Sequence, residues 1–189
     1  GPPPSRRSEG ATQDFFLFVG KLERTKGITD LIRAFRQSSV LAGAGYRLVI
    51  VGPDGNASED VAMAMRGCED RVSRPGFVTE CDLQALYRTC RGFVFPSIAE
   101  GFGLVVLEAM AQGAPVIAAR ATSLPEVIGE AGLLIPPDDI DALKSAMERL
   151  ACDDALFAQL QEAGYERLKR FSWGATAEAT AKLFRRVAS

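Results

Sequence analysis

The stretch from residue 96 to residue 113, PSIAEGFGLVVLEAMAQG, contains the residues with the clearest chemical potential. Gly101 and Gly103 stand where an apolar strand ends and an apolar helix is predicted to begin. Glycine lets the backbone approach a ligand closely, and the first turn of a helix has N–H groups without intrahelical partners. The helix dipole also favours negative charge at that end. The pattern therefore predicts a site for phosphate oxygens at the start of this helix.

Two carboxylates flank the predicted phosphate site. Glu100 precedes the glycines, and Glu108 lies about one and a half turns into the helix, roughly 6–8 Å along its axis. A carboxylate can accept hydrogen bonds from both hydroxyls of a ribose, so the pair indicates one sugar on each side of a diphosphate. In the alternative interpretation, Glu108 and Gln112 form a solvent-exposed stripe and Glu100 only complements the helix dipole.

A second loop with phosphate chemistry follows the first predicted strand. Its sequence, GKLERTKG, contains Lys21, Arg24 and Lys26 and leads into a helix. Basic side chains near a helix N-terminus suit an anion, and a solvated charged turn is the alternative. The loop matches neither the GxxxxGK[ST] pattern nor the GxGxxG pattern, which disfavours a nicotinamide-dependent oxidoreductase.

The composition excludes several kinds of chemistry. The chain has no histidine, which removes Ser-His-Asp and Cys-His nucleophiles and the HExxH zinc helix. The net charge is −2 and the arginines are spread along the chain, so no nucleic-acid surface is indicated. Four cysteines without a CxxC motif are interpreted as buried or idle thiols of a reducing compartment. A glycosidase acid–base pair is disfavoured, since the two glutamates follow a parallel strand at a loop-to-helix junction.

Short apolar runs alternate with helical segments from Phe15 onward, which is typical of a doubly wound α/β fold. We predict a Rossmann-like three-layer α/β/α domain with a six-stranded parallel sheet and a C-terminal helical tail. The predicted strands are Phe15–Val19, Arg47–Val51, Val72–Val78, Gly92–Phe95, Pro115–Ala118 and Gly132–Ile135. The predicted helices are Ile28–Gln37, Ser58–Arg66, Glu80–Arg88, Leu104–Gln112, Leu124–Ile128, Asp139–Ala151, Ala155–Lys169 and Ser172–Val187.

Local signals refine this architecture. Thr79 is predicted to cap a helix with Asp82 in its first turn, and the S-x-x-E sequence from Ser123 to Glu126 has the form of a capping box. Residues 1–14, with three consecutive prolines, are interpreted as a flexible linker or cloning remnant, and residues 15–189 as one domain. No apolar run approaches the ~20 residues that span a bilayer. Cytoplasmic residence is therefore predicted, with association at a membrane surface left open.

The stretch from Glu100 to Ala118, EGFGLVVLEAMAQGAPVIA, closely resembles the E-x7-E signature of family 4 retaining glycosyltransferases with the GT-B fold. The resemblance covers nearly the whole chain, because FVGKLERTKG, GFVTECDLQALY, SLPEVIGEAGLLIPPDD and FSW follow one another in the same order as in the family. It implies one half of a GT-B fold, the C-terminal domain that binds a nucleoside-diphosphate sugar such as a UDP-, GDP- or ADP-sugar. The enzyme class implied is a retaining hexosyltransferase that needs neither a metal nor a cofactor.

The resemblance also implies roles for individual residues. Lys21 and Lys26 would hold the diphosphate and, with Glu100, form the catalytic set. Glu100 would orient the donor sugar, Glu108 would accept the ribose hydroxyls, and the backbone at Val78 would meet the base. The remaining implied donor contacts are Gly101, Phe102, Gly103 and Leu104. Lysine at position 21, where the family more often has arginine, keeps the charge but loses the planar fork.

The implied partners are a nucleotide-sugar donor and an N-terminal acceptor-binding domain that these 189 residues do not include. We therefore expect the fragment to bind donor and to be inactive alone, and we expect no nucleic-acid partner. A non-catalytic nucleotide-binding or scaffold module with the same fold is the alternative. The last predicted helix, Ser172–Val187, is expected to pack either on this domain or on the missing one.

Overall fold

A sheet of six parallel strands forms the centre of the fold in a computed structural model that describes residues 14–171. The strands are β1 (Phe15–Val19), β2 (Arg47–Val51), β3 (Val72–Gly76), β4 (Gly92–Phe95), β5 (Val116–Ala119) and β6 (Gly132–Ile135). Their order in the sheet is β3-β2-β1-β4-β5-β6, and each neighbouring pair is parallel. The predicted six-stranded sheet is confirmed.

One strand is shorter than predicted. The predicted strand reached Val78, but β3 ends at Gly76, whose φ is +76°. This left-handed backbone turns the chain out of the sheet, and Pro75 just before it has no N–H to donate to the ladder. Val78 therefore lies in the loop that follows β3.

Eight α-helices are present in the described part of the chain. They are α1 (Ile28–Gln37), α2 (Ser39–Gly43), α3 (Ser58–Met65), α4 (Glu80–Thr89), α5 (Leu104–Ala111), α6 (Leu124–Ile128), α7 (Ile140–Cys152) and α8 (Asp154–Leu168). The sequence predicted all except α2, which is too short for an apolar period to show and is capped by the Ser38 hydroxyl accepting from the Leu41 N–H. The Thr79 hydroxyl caps α4 in the predicted way, accepting from the Asp82 N–H at 3.2 Å.

The helices pack in two layers on the sheet. In one layer α1 packs against α3 and α7, and in the other α5 packs against α8. Helix α1 buries Ile28, Leu31, Ile32 and Phe35, which recur at helical spacing. The rings of Phe18, Phe93 and Phe95 stack across β1 and β4, with centroids 5.9 and 5.7 Å apart. The core therefore lies directly behind the loops that follow these two strands.

The chain order reverses between β1 and β4. Helices α1 and α3 lead from β1 outward to β2 and β3, and the chain then returns so that β4 lies on the other side of β1. Ligands of open α/β sheets bind at such a switch point, beyond the carboxyl ends of the strands. The loops at residues 20–27 and 96–103 lie there, and they are the two loops in which the sequence predicts phosphate chemistry.

Several predictions concern chain ends or single side chains. Residues 1–13 of the predicted linker (1–14) and the predicted helix Ser172–Val187 lie outside the described residues, whereas α7 and α8 confirm the first two helices of the predicted tail. Cys68 and Cys90 are buried, while Cys81 and Cys152 are exposed. Among residues 14–171, no helix is both long enough and apolar enough to cross a membrane.

Candidate functional site

An ion pair between Lys26 and Glu100 joins the loop after β1 to the loop after β4. The Lys26 ammonium contacts Oε1 of Glu100 and lies 5.6 Å from the centroid of the Phe95 ring. The two side chains are only 18% and 12% exposed, so the pair is shielded from bulk water. The structure therefore brings two of the three predicted catalytic residues into direct contact.

Backbone contacts hold these two loops together. The Ile98 N–H and the Ser97 hydroxyl both donate to the Thr25 carbonyl, at 2.8 and 3.2 Å. Gly27 has a φ of +66°, and a Cβ there would lie 2.4 Å from the carbonyl oxygen of Pro96. Glycine is therefore required at this point, because any side chain would push the loops apart.

The loop after β2, residues 52–57, supports the first loop from the other side. Polar groups of this loop bond to the backbone of the first loop. The Leu22 N–H donates to the Pro53 carbonyl at 3.0 Å, and the Arg24 N–H donates to Oδ1 of Asn56 at 2.9 Å. These bonds fix the backbone that leads to Lys26.

The backbone of Glu100 is held on both sides by residues that sequence reasoning missed. Its N–H donates to Oγ1 of Thr122 at 3.1 Å, and its carbonyl accepts from the Ser123 hydroxyl at 3.4 Å. Thr122 has a φ of +47°, which is uncommon for a β-branched residue. Strained backbone of this kind occurs mainly where the surrounding structure fixes a functional group.

The capping box predicted at Ser123 is wrong. Ser123 precedes α6 but has helical backbone angles (φ −79°, ψ −16°), and its side chain makes no cap hydrogen bond. An N-cap needs extended backbone to aim its oxygen at the first turn, so the hydroxyl is free to bond the Glu100 carbonyl instead. The position of this sequence at the carboxyl end of β5 was the signal available for a role at the site.

Helix α5 begins at the site with open donors. Gly103 caps the helix in the left-handed region, with a φ of +89°, and a Cβ there would lie 2.8 Å from Cδ2 of Leu124. Within residues 14–171, the N–H groups of Gly101, Phe102 and Gly103 donate no hydrogen bond. Open amides and the positive end of the helix dipole together make this a place where an anion can bind.

Phe102 and Leu104 line the rim of the site with their side chains exposed. The Phe102 ring packs edge to face with Phe171 at a centroid distance of 6.0 Å. Both residues are among the predicted donor contacts.

Glu108 is exposed on the second turn of α5 and is the only charged residue of that helix. Gln112, one turn further on, accepts a hydrogen bond from Nη1 of Arg88 on α4 at 3.2 Å. Gln112 is therefore tied to the neighbouring helix rather than being part of a free solvent stripe with Glu108.

Within residues 14–171, no hydrogen bond or ion pair joins Lys21 or Val78 to the Lys26–Glu100 pair. The Lys21 ammonium is 3.1 Å from Oε1 of Glu23, and its side chain is 56% exposed. Val78 lines a groove of about 940 Å³ beside α4, together with Phe77 and Leu86.

A further ion pair, between Arg74 and Asp54, lies at the same edge of the sheet. The hydrogen bond from Arg74 to the Asp54 carboxylate, 2.8 Å long, holds the pKa of that carboxyl below its usual value, and the Ser58 hydroxyl lowers it further.

Among the described residues, no group of three or more His, Cys, Asp or Glu side chains is arranged to hold a metal ion.

The sequence model of the glycosyl transferases group 1 family matches residues 13–153. The chain belongs to this family. Its fold agrees, since glycosyltransferases of the GT-B class are among the solved structures that it matches. The predicted fold class, a Rossmann-like half of a GT-B fold, is thereby confirmed.

The individual glycosyltransferases that resemble this chain are longer than it is. O-antigen chain mannosyltransferase B from Escherichia coli is 36% identical over 174 residues, which are 90% of this chain and 45% of the relative. Sucrose-phosphate synthase from Thermosynechococcus elongatus superposes with a TM-score of 0.76 at 34% identity, covering 94% of this chain and 46% of the synthase. Anabaena HepE, solved in complex with UDP and glucose, gives a TM-score of 0.77 at 25% identity over 92% of this chain and 49% of HepE. The chain thus spans about half the length of these relatives.

Proposed function

We propose that this domain binds a nucleoside-diphosphate sugar and forms the donor half of a retaining glycosyltransferase of family 4. The observation that carries the proposal is the Lys26–Glu100 pair beside the open N–H groups at the start of α5. It unites a cation and backbone donors for phosphate with a carboxylate for sugar hydroxyls. Because the chain spans about half of its relatives, we assign acceptor binding to a further domain.

The diphosphate is bound by positive charge from two sources. Lys26 and the amides of residues 101–103 contact the phosphates directly. Lys21 joins them after its ion pair with Glu23 breaks. In the transition state the leaving nucleoside diphosphate gains negative charge. Fixed cations and helix N–H groups stabilise that charge more than the ground state, which accelerates the reaction.

Glu100 orients the transferred sugar by accepting hydrogen bonds from its hydroxyls. Thr122 and Ser123 bond to its backbone, so the side chain that carries the carboxylate extends from a fixed position. In the transfer, the bond from the anomeric carbon to the phosphate oxygen breaks and a bond to the acceptor oxygen forms on the same face. The acceptor proton passes to a phosphate oxygen of the leaving group, and Glu100 is not the nucleophile.

Glu108 binds the ribose. It lies four residues after the first residue of α5, about 6 Å along the helix axis at 1.5 Å per residue. That separation is similar to the distance between a phosphate bound at the start of the helix and the ribose attached to it. Its exposed carboxylate accepts from both ribose hydroxyls.

Donor binding in this proposal needs no metal ion. Two lysines and a helix N-terminus already supply the positive charge that a divalent cation provides in other nucleotide sites. EDTA is therefore expected to leave donor affinity unchanged.

The test is a thermal-shift panel of UDP, GDP, ADP, their sugar conjugates and NAD, each with and without EDTA. At a ligand concentration one hundred times its Kd, the expected stabilisation is about 2.7 kcal/mol, which raises the Tm by roughly 5–10 °C. A selective, EDTA-insensitive rise with one nucleoside diphosphate supports the proposal and identifies the base. A response to NAD alone, or to no nucleotide, contradicts it.

A further inference from the structure

A buried tyrosine hydroxyl lies between α4 and α5, on the side of the site assigned to the ribose. Tyr87 is 2% exposed, and its ring packs edge to face with Phe93 at a centroid distance of 5.5 Å. Within residues 14–171 its hydroxyl has no hydrogen-bond partner at normal geometry. An unpartnered buried hydroxyl is unfavourable, so its retention calls for a physical reason.

The carboxylate that faces this hydroxyl is Glu108. Burial raises the pKa of Tyr87 well above its ordinary value, and the negative charge of Glu108 raises it further. The hydrogen bond from Arg88 to Gln112 fixes α4 beside α5 at this level. Tyr87 is next to Arg88 on α4, and Glu108 lies one turn before Gln112 on α5, so the two residues belong to the same stretch of this helix pair.

The chemistry of the two groups defines the direction of the contact. The tyrosine keeps its proton throughout the physiological pH range, so its O–H can only donate to a carboxylate. A carboxylate has two oxygens and about four acceptor positions, and one donor from the protein leaves room for two ribose hydroxyls.

We propose that Tyr87 is a positioning residue for ribose recognition: its buried hydroxyl orients the Glu108 carboxylate from beneath, so that an otherwise exposed side chain presents its oxygens to the ribose in one orientation. The inference rests on the proposed function of Glu108. Holding the Glu108 carboxylate in one orientation reduces the entropy lost on binding. It also makes the affinity more sensitive to the loss of a ribose hydroxyl.

The test compares ribose with deoxyribose ligands. We would measure calorimetric affinities of UDP, GDP and ADP and of their 2′-deoxy counterparts for the wild type and for Tyr87→Phe. The wild type should favour the ribose form of the bound nucleotide by about tenfold or more, and Tyr87→Phe should reduce the preference to about threefold. The Tm should fall by no more than about 2–5 °C, because the ring packing is kept and only the contact to Glu108 is lost.

Tyr46→Phe is the matched control. Tyr46 is also buried, and its hydroxyl donates to the Ala151 carbonyl at 3.1 Å, far from the site. This variant should lose stability and keep the full ribose preference. A second control places Tyr87→Phe in a Glu108→Gln background, where the remaining preference should not fall further.

Two results would overturn the inference. One is a Tyr87→Phe protein that binds the diphosphate with an unchanged ribose preference. The other is an equal fall in preference on Tyr87→Phe with and without Glu108→Gln, which would mean that the hydroxyl acts independently of the carboxylate. Failure of all three diphosphates to bind the wild type would instead contradict the proposed function itself.

Discussion

The Lys26 ammonium is held by the Glu100 carboxylate, across 74 positions of sequence and at the junction of β1 and β4. The cation assigned to the phosphate is thus neutralised by the carboxylate assigned to the sugar. A bound diphosphate must compete with Glu100 for Lys26. When the sugar is present, its hydroxyls supply new partners for Glu100, so the complete donor compensates for the contact that the bare diphosphate disrupts.

The first prediction follows from this competition. Glu100→Gln should tighten binding of the bare nucleoside diphosphate by about twofold to tenfold, because Lys26 is released from its charged partner. The same change should reduce the advantage of the nucleotide sugar over the diphosphate. Calorimetric titration with both ligands measures the two effects.

Glu130→Gln is the matched control for this charge change, since Glu130 is exposed and lies beyond α6. It should leave both affinities within experimental error of the wild type. Weaker binding of the bare diphosphate to Glu100→Gln would show that Glu100 does not restrain Lys26.

A second prediction concerns stability. Lys26→Met keeps the aliphatic stem near Phe95 but leaves the 12%-exposed carboxylate of Glu100 unpaired. We expect a loss of about 1–3 kcal/mol in the free energy of unfolding, measured by urea denaturation. Adding Glu100→Gln should recover most of this loss; a double variant as unstable as the sum of the two single variants would show that the residues are energetically independent.

The backbone support of Glu100 gives a third prediction. Thr122→Val keeps the branched shape but removes the oxygen that accepts from the Glu100 N–H, whereas Thr122→Ser keeps that oxygen. The valine variant should weaken nucleotide-sugar binding by about 0.5–1.5 kcal/mol, and the serine variant should restore it. Thr89→Val, which removes a hydroxyl bonded to Ala85 on α4, serves as the control and should not change binding.

Equal affinities for the valine and serine variants at position 122 would contradict a role for the hydroxyl. Thr122→Val keeps the β-branched side chain and with it the backbone strain at position 122, so comparing this variant with the wild type isolates the hydrogen bond from the conformation.

The close approach of the two site loops gives a fourth prediction. Gly27→Ala places a Cβ 2.4 Å from the Pro96 carbonyl in a left-handed backbone, and it should lower the free energy of unfolding by about 1–3 kcal/mol. Gly43→Ala is the matched control, because nothing lies within 4 Å of a Cβ there and its φ is not positive. Thermal unfolding of both variants checks this, and similar Tm values would mean that the loops separate without penalty.

Sequence patterns predicted the sheet and its helices because burial imposes a clear apolar period on segments such as β1 and α1. They also identified Lys26 and Glu100 separately, from the glycines and charges of their loops. Their contact depends on strand order, which the local sequence does not encode. Position 123 was misassigned because the same S-x-x-E sequence suits a capping box, and only the backbone angles show otherwise.

Tyr87 illustrates a second limit. Its ring is buried, one helical turn after Leu83 on α4. An apolar pattern in the sequence indicates that the ring is buried but gives no information about the hydroxyl. The position of Glu108 opposite that hydroxyl could therefore not be deduced. Val78 was assigned to a strand because its residue type suits one, but Gly76 ends that strand first.

The most direct test of the account compares the Kd of the preferred nucleoside diphosphate with that of its bare nucleoside, for the wild type and for Lys26→Met, by calorimetry. The account predicts that the variant loses about tenfold or more in diphosphate affinity and nothing in nucleoside affinity, since a charge-assisted contact to phosphate is removed. An equal loss for both ligands, or no loss for either, would contradict the assignment of Lys26 to the diphosphate and with it the donor-binding site.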